Sequence, residues 1–387
     1  MSTLAPVSST DSSSSTDSST RRLPVLFSPT VDLLAFGGSA LVALAMLPIG
    51  AALGVLHSDT PRWTWLAAIL LIDVAHVYAT GFRVYFDGSE LRRRPWLYGL
   101  TPLLALVVGM AVYSESVTVF WSVLAYLAVF HFIRQQYGWV ALYRAREHDQ
   151  ERFGWWIDAA AIYLATVYPL VYWHSHLPRN FDWFIQGDFL TLPPIAAEIL
   201  QPVYWAALMA YAIRAVSRGV RKGAWNPGKD LVVITTAVCW YVGIISLNSN
   251  YAFTVTNVII HGVPYMVLIY WYRWHRPQSD SNGEWQQDSS QDRPSRWRSN
   301  AGRLSLFLGA IWMLAYAEEL LWDFGLWHEH EWLFGWASFA GESTGETAGG
   351  TSSQSRGSWE MWLAPMLAVP QITHYVLDGF IWRRTAR

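Results

Sequence analysis

Residues 117–143 read VTVFWSVLAYLAVFHFIRQQYGWVALY, and Arg134 is the only formally charged residue among them. This run exceeds the roughly 20 residues that an α-helix needs to cross a hydrocarbon core of about 30 Å. The whole chain has a similar character, because 52% of its 387 residues are hydrophobic, 14% are charged and 24 are Trp. A soluble protein of this size needs more charged side chains to cover its surface. The sequence therefore predicts an integral, multi-pass membrane protein.

Nine further segments are long and apolar enough to act as spans, which predicts an all-α polytopic bundle of about ten transmembrane helices. Residues 1–28 are rich in Ser and Thr and predict a disordered tail. Residues 29–387 then form a single transmembrane domain with polar loops near 277–299 and 327–358. The predicted spans lie near Leu33–Leu56, Thr64–Phe86, Trp96–Tyr113, Val117–Tyr143, Trp155–Trp173, Ile195–Val216, Leu231–Leu247, Tyr251–Trp274, Leu304–Phe324 and Trp359–Trp382.

The distribution of basic residues predicts the orientation of this bundle. If the N-terminus is cytoplasmic, alternate loops place most of the 27 Lys and Arg residues on the cytoplasmic side, as the positive-inside rule requires. Both termini are then cytoplasmic. Only Lys222 and Lys229 are lysines, which is typical of GC-rich bacterial genomes and favours a bacterial cytoplasmic (inner) membrane.

Composition also excludes several kinds of partner and cofactor. The single cysteine, Cys239, excludes a disulfide framework, Cys-ligated zinc and Cys-ligated iron–sulfur clusters. With 27 basic and 29 acidic residues, the chain has no basic surplus for binding nucleic acid. The sequence predicts the lipid bilayer as a partner and is compatible with a lipid-soluble or membrane-embedded substrate, and nothing in it indicates an oligomeric state.

Four of the 11 histidines fall inside predicted spans, each on a different helix: His76, His131, His261 and His374. The predicted topology makes all four helices run in the same direction. At about 1.5 Å of rise per residue, the four imidazoles lie at a similar depth near the middle of the bilayer. Polar residues inside spans usually face the bundle interior. The sequence therefore predicts that the four histidines converge on one metal site.

Each histidine has a polar residue about one helical turn away, where it can act as a supplementary ligand or orient the imidazole. Two arginines on the same helices lie nearer the cytoplasmic side. They are predicted to bind an anionic substrate group or haem propionate, or to neutralise the nearby carboxylates. The turn-spaced residues are Asp73, Gln135, Asn257 and Asp378, and the arginines are Arg83 and Arg134.

Imidazole suits iron, copper or zinc, and the neighbouring carboxylates favour non-haem iron. The leading hypothesis is a metal-dependent oxidoreductase that acts on a lipid-soluble substrate. One alternative is a haem b electron carrier with bis-histidine ligation, and another is a transporter or ion pathway lined by the intramembrane polar residues. Structural hydrogen bonding alone also remains open. The pairs His174/His176 and His328/His330 lie in predicted outward loops, where histidines are usually solvated.

Overall fold

The computed structural model describes residues 23–275, 293–338 and 360–381, and every regular element within these ranges is helical. The all-α prediction is thus confirmed for this part of the chain. Nine of its helices are long and apolar enough to cross a membrane. They are α1 (Pro29–Ala52), α2 (Arg62–Arg83), α3 (Pro95–Glu115), α4 (Val117–Glu147), α5 (Arg152–Ser175), α6 (Ile195–Lys222), α7 (Pro227–Ser246), α8 (Asn250–His275) and α9 (Asn300–Trp327).

The tenth predicted span is two shorter helices instead of one. They are α10 (Glu360–Leu367) and α11 (Val369–Ile381), with a turn at Ala368 between them. Pro370 explains the interruption, because it has no N–H to donate and its ring clashes with the carbonyl four residues earlier. Neither helix reaches the length of a span by itself, so the count of ten spans stays a prediction.

Most of the predicted tail and of the two polar loops lies outside the described residues. The parts that are described lie close to the bundle. Phe27, within the predicted tail, packs against Trp271 near the end of α8, with ring centroids 5.6 Å apart. After α9, a short helix spans Glu331–Ser338.

The helices that carry the four histidines run in the same direction. Near their C-terminal ends, Phe82 of α2 contacts Trp274 of α8, with ring centroids 5.7 Å apart. The Arg83 guanidinium of α2 donates to the Ile381 carbonyl at the end of α11, at 3.2 Å. We call this end of the bundle the basic end, and the opposite end, where residues 176–194 connect α5 to α6, the loop end.

Helix α4 also ends at the basic end. Its residue Tyr143 donates to the Asp32 carboxylate in the first turn of α1, at 2.7 Å, and the segment before α1 contacts the end of α8 as described above. Helices α2, α4, α8 and α11 therefore form a parallel set. Within it α8 packs against α2 and α4, and α11 packs against the same two helices, so the four enclose a common interior.

An ionic cluster at the basic end joins α4, α5, α6 and α7. The carboxylate of Asp158 lies 2.8 Å from Arg144, 3.1 Å from Arg214 and 3.0 Å from Lys229. Its side chain is only 2% exposed. A buried carboxylate shared by three cations fixes the relative positions of the four helices that supply it.

Candidate metal centre

The four predicted histidines meet in the interior enclosed by α2, α4, α8 and α11. All four are buried, with exposures between 0% and 2%. The Nε2 atoms of His76 and His261 lie 3.2 Å apart, and those of His131 and His374 lie 3.1 Å apart. One ring nitrogen each from His76, His131 and His374 can be chosen so that all three lie within 4.8 Å of one another. The side chains thus occupy one compact cluster.

The four rings contact one another in the cyclic order His76, His261, His131 and His374. His261 is 4.7 Å from His76 and 5.1 Å from His131, measured between ring centroids, and His374 is 4.9 Å and 4.5 Å from the same two rings. His76 and His131 lie farther apart, at 6.3 Å. They therefore face each other across the cluster, with His261 and His374 on the remaining sides. This order follows from the packing of α8 and α11 between α2 and α4.

Three of the four rings have a polar group on the Nδ1 side. Thr80 Oγ1 lies 2.7 Å from His374 Nδ1 and 2.9 Å from the hydroxyl of Tyr265, so it joins the two. A carboxylate oxygen of Asp378 lies 3.7 Å from Nδ1 of His131, which belongs to another helix.

His76 has a comparable neighbour on its own helix. The Asp73 carboxylate lies 3.7 Å from His76 Nδ1. The contact is made at the end of a π-helical stretch, Trp65–Val74, whose wider winding changes side-chain directions from those of an α-helix. These partners leave Nε2 of His76, His131 and His374 facing the interior of the cluster.

His261 is held differently from the other three. Its ring stacks on Phe132, with centroids 3.5 Å apart and planes inclined by 7°. Gln135 donates to the backbone carbonyl of His261 at 2.8 Å rather than to its imidazole. Asn257, one turn earlier, uses its amide nitrogen on the Phe253 carbonyl. Among the described residues, no hydrogen-bond partner is present for His261 Nδ1 or Asn257 Oδ1.

Close packing of α8 against α2 brings two of the histidines together. A Cβ added at Gly262 would lie 2.6 Å from Ile72 Cγ2 and 3.2 Å from the Ile72 carbonyl oxygen. Only glycine permits this approach without displacement. Helix α8 continues through Pro264 without interruption.

The two arginines predicted to serve the site have other partners. Arg83 forms an ion pair with Glu90, at 3.2 Å, and lies over the ring of Tyr272. Arg134 is exposed and donates to the hydroxyl of Tyr163 on α5. Arg134 lies three residues after His131 on α4, but its guanidinium is directed to α5 and not to the other histidines. The structure therefore does not bring Arg134 to the histidines, and it pairs Arg83 with a carboxylate at the basic end.

Two tyrosines belong to the cluster but were not selected from the sequence. Tyr265 contacts His374, with ring centroids 5.1 Å apart, and Tyr375 stacks on His131 at 5.0 Å. Tyr265 also interacts with Asp378. The spacing of Tyr265, four residues after His261, is a signal that helical periodicity offered. Tyr375 offered none, because it is adjacent to His374 in sequence and contacts a different histidine.

A cavity of about 120 Å³ connects the cluster to the loop end. Its lining includes His76 and Asp73 in the bundle and Asp182, Trp183 and Asn250 at the loop end. The Asp73 side chain is 32% exposed, although it lies within α2. Burial, together with the nearby Asp188 carboxylate, raises the pKa of the Asp182 carboxyl above its ordinary value.

In the remaining histidine pairs, His174 and His330 have polar partners near them. His174 is buried at the end of α5, where it contacts the Tyr126 hydroxyl at 3.1 Å. His330 pairs with Asp323 at 3.4 Å and stacks on Trp65. Within the part of the chain that the structure describes, the cluster of His76, His131 and His374 is the only group of three or more potential metal-ligating side chains.

Comparisons with family models, with curated proteins and with solved structures find no match to this chain. What the protein does must therefore be inferred from the geometry of the cluster and its surroundings.

Proposed function

We propose that the chain is a membrane-embedded oxidoreductase whose four histidines, His76, His131, His261 and His374, bind a single redox-active transition-metal ion. One observation carries the proposal: buried imidazoles from four helices form one cluster, in which ring nitrogens of His76, His131 and His374 lie within 4.8 Å of one another and His261 Nε2 lies 3.2 Å from His76 Nε2. Neutral imidazoles at this spacing direct the lone pairs of several ring nitrogens into the interior of the cluster. A bound cation satisfies them together.

The side chains that surround the imidazoles support the same interpretation. Histidines that ligate a metal usually place their other ring nitrogen against a carboxylate, carbonyl or hydroxyl, which fixes the tautomer. Thr80 Oγ1 lies within hydrogen-bond distance of His374 Nδ1, and the Asp73 and Asp378 carboxylates lie 3.7 Å from Nδ1 of His76 and His131. If His374 Nδ1–H donates to Thr80, Nε2 keeps its lone pair for the metal. Phe132 covers the face of His261 and excludes water there.

The type of ligand bears on which metal is bound. Imidazole nitrogens suit copper, zinc and iron, and of these copper and iron are redox-active. Iron, which the carboxylates Asp73 and Asp378 favour, and copper are the two candidates. Either would supply one-electron redox chemistry when bound. The protein contributes the ligands, their orientation and a water-poor interior.

The arrangement does not fit a haem. Neighbouring rings are 4.5 Å to 5.1 Å apart, so His261 and His374 occupy the space beside His76 and His131 that a porphyrin plane would need. A pair of axial histidines requires that space to be open. The haem b carrier is therefore the less favoured alternative.

A lipid-soluble substrate is supported by an apolar groove beside the cluster. It has a volume of about 260 Å³ and runs between α3, α4 and α11. Ile372 and Val376, which line it, flank His374 on α11. An apolar substrate tail in this groove would lie one helix away from the metal ligands.

We further propose that the chain lies in a bacterial cytoplasmic membrane with the basic end in the cytoplasm. Nine long apolar helices support membrane insertion. The cationic residues Arg144, Arg214 and Lys229 lie at the basic end, which the positive-inside rule assigns to the cytoplasm.

Elemental analysis and optical spectroscopy of the full chain, purified in detergent, test the proposed function. We expect one iron or copper ion per chain and no Soret band. A Soret band with stoichiometric iron would support the haem alternative. A folded chain that retains no metal, even after incubation with Fe²⁺ or Cu²⁺ and gel filtration, would contradict the proposal and leave structural hydrogen bonding or transport.

A further inference from the structure

The cavity between the cluster and the loop end carries several hydrogen-bond acceptors among apolar side chains. Two carboxylates, Asp73 and Asp182, line it, and no lysine or arginine among the described residues does. Its volume of about 120 Å³ corresponds to roughly four water molecules at about 30 Å³ each. It is therefore large enough for a partly hydrated ion but small for an organic substrate.

Two amide side chains in the cavity have their oxygen atoms available. Asn257 is 1% exposed, and its amide nitrogen donates to Phe253 and Thr256, so the orientation of the amide is fixed. Gln371 places its amide nitrogen 3.4 Å from a Glu318 carboxylate oxygen. Among the described residues, neither Asn257 Oδ1 nor Gln371 Oε1 has a hydrogen-bond partner. A buried acceptor without a partner is costly, and a cation offsets that cost.

We infer that this cavity is a cation-binding vestibule through which the metal ion reaches the four histidines from the loop end. The inference rests on the proposed function. Asp182 and Asn250 form the entrance, Asn257 and Gln371 supply oxygens along the route, and the His76 imidazole lines its inner part. Carboxylate, amide and water oxygens hold a divalent cation loosely, and imidazole nitrogens hold iron or copper more tightly. The ion therefore moves from weaker to stronger ligands.

The rate at which a metal enters the stripped protein tests this route. The full chain in detergent is stripped with chelator and mixed with Co²⁺ at low ionic strength, and Co²⁺ absorption is followed in a stopped-flow instrument. Asp182→Asn removes the entrance charge from a half-buried loop position with little change of shape. We expect it to slow loading on the order of tenfold, since charged clefts raise cation on-rates by at least this factor. The final content should remain one Co²⁺ per chain.

Two further variants make the result specific. Asp59→Asn removes an exposed carboxylate at the same end but outside the cavity, and it should load at the wild-type rate. Asn257→Leu replaces the buried amide with an apolar group and should also slow loading. Equal rates for wild type, Asp182→Asn and Asn257→Leu, with one Co²⁺ bound in each, would overturn the vestibule and leave the metal centre intact. A folded wild-type chain that binds no Co²⁺ would overturn both.

Discussion

Replacement of His131 by Ala is expected to reduce metal affinity by more than about 100-fold, because loss of an orienting partner alone costs 10- to 100-fold and a ligand contributes more. His131 faces His76 across the cluster and its Nε2 lies 3.1 Å from that of His374. No other imidazole can take its place. The measurement is metal content by elemental analysis after gel filtration, with a Co²⁺ titration to give the affinity.

A matched control separates loss of a ligand from loss of any histidine. His176 is exposed at the end of α5, where its ring contacts the Tyr172 carbonyl. His176→Ala should retain full metal content. His131→Gln, which keeps a polar side chain of similar size, should lose metal while its helical circular dichroism stays at the wild-type level. Full metal content in folded His131→Ala or His131→Gln would remove this residue from the centre.

Asp158→Ala is expected to have the largest effect on stability. The substitution leaves Arg144, Arg214 and Lys229 around a buried position without the carboxylate that they share. Removal of one partner from a buried ion pair typically costs about 3–5 kcal/mol. Because Asp149 still pairs with Arg144 and Arg214, and Glu147 with Lys229, we expect a loss below that range. Thermal unfolding in detergent, followed by circular dichroism, should therefore show a clear fall in Tm.

Glu115→Ala provides the control for that experiment, since Glu115 is exposed at the end of α3. Its Tm should remain within experimental error of the wild type. Because Asp158 lies at the basic end, the folded fraction of Asp158→Ala should still bind one metal ion per chain. An unchanged Tm for Asp158→Ala would show that the ionic cluster does not stabilise the bundle.

The sequence predicted that the four histidines lie close together, for a simple geometric reason. The rise per residue of an α-helix converts residue number into depth in the membrane, and the alternation of the spans sets the direction of each helix. His76, His131, His261 and His374 could therefore be placed at one level on parallel helices without knowing which helices are neighbours. Their order around the cluster could not be predicted, because it depends on the packing of α8 and α11 between α2 and α4.

The polar neighbours of the histidines were harder to predict, because the spacing of residues in sequence describes contacts along one helix only. Asp378 was selected as a neighbour of His374 on the same helix, yet the structure places it beside His131 on α4. Arg134 shares α4 with His131 but projects toward α5. Contacts between helices decide such pairings.

Local departures from regular helix geometry were also missed. The π-helical stretch Trp65–Val74 alters side-chain directions before His76, and the interruption at Ala368 divides the tenth predicted span. Pro370 marked the second of these departures in the sequence. The first had no comparable signal, because an apolar run has the same composition in either kind of helix.

X-ray absorption spectroscopy of the metal-loaded chain tests the central claim most directly. We predict a first coordination shell of nitrogen at about 2.0–2.1 Å, with the outer-shell scattering of four imidazole rings and no sulfur. His131→Ala should lower the imidazole contribution together with the metal content. A first shell of oxygen or sulfur alone, with no imidazole scattering in the wild-type chain, would contradict a centre built from His76, His131, His261 and His374.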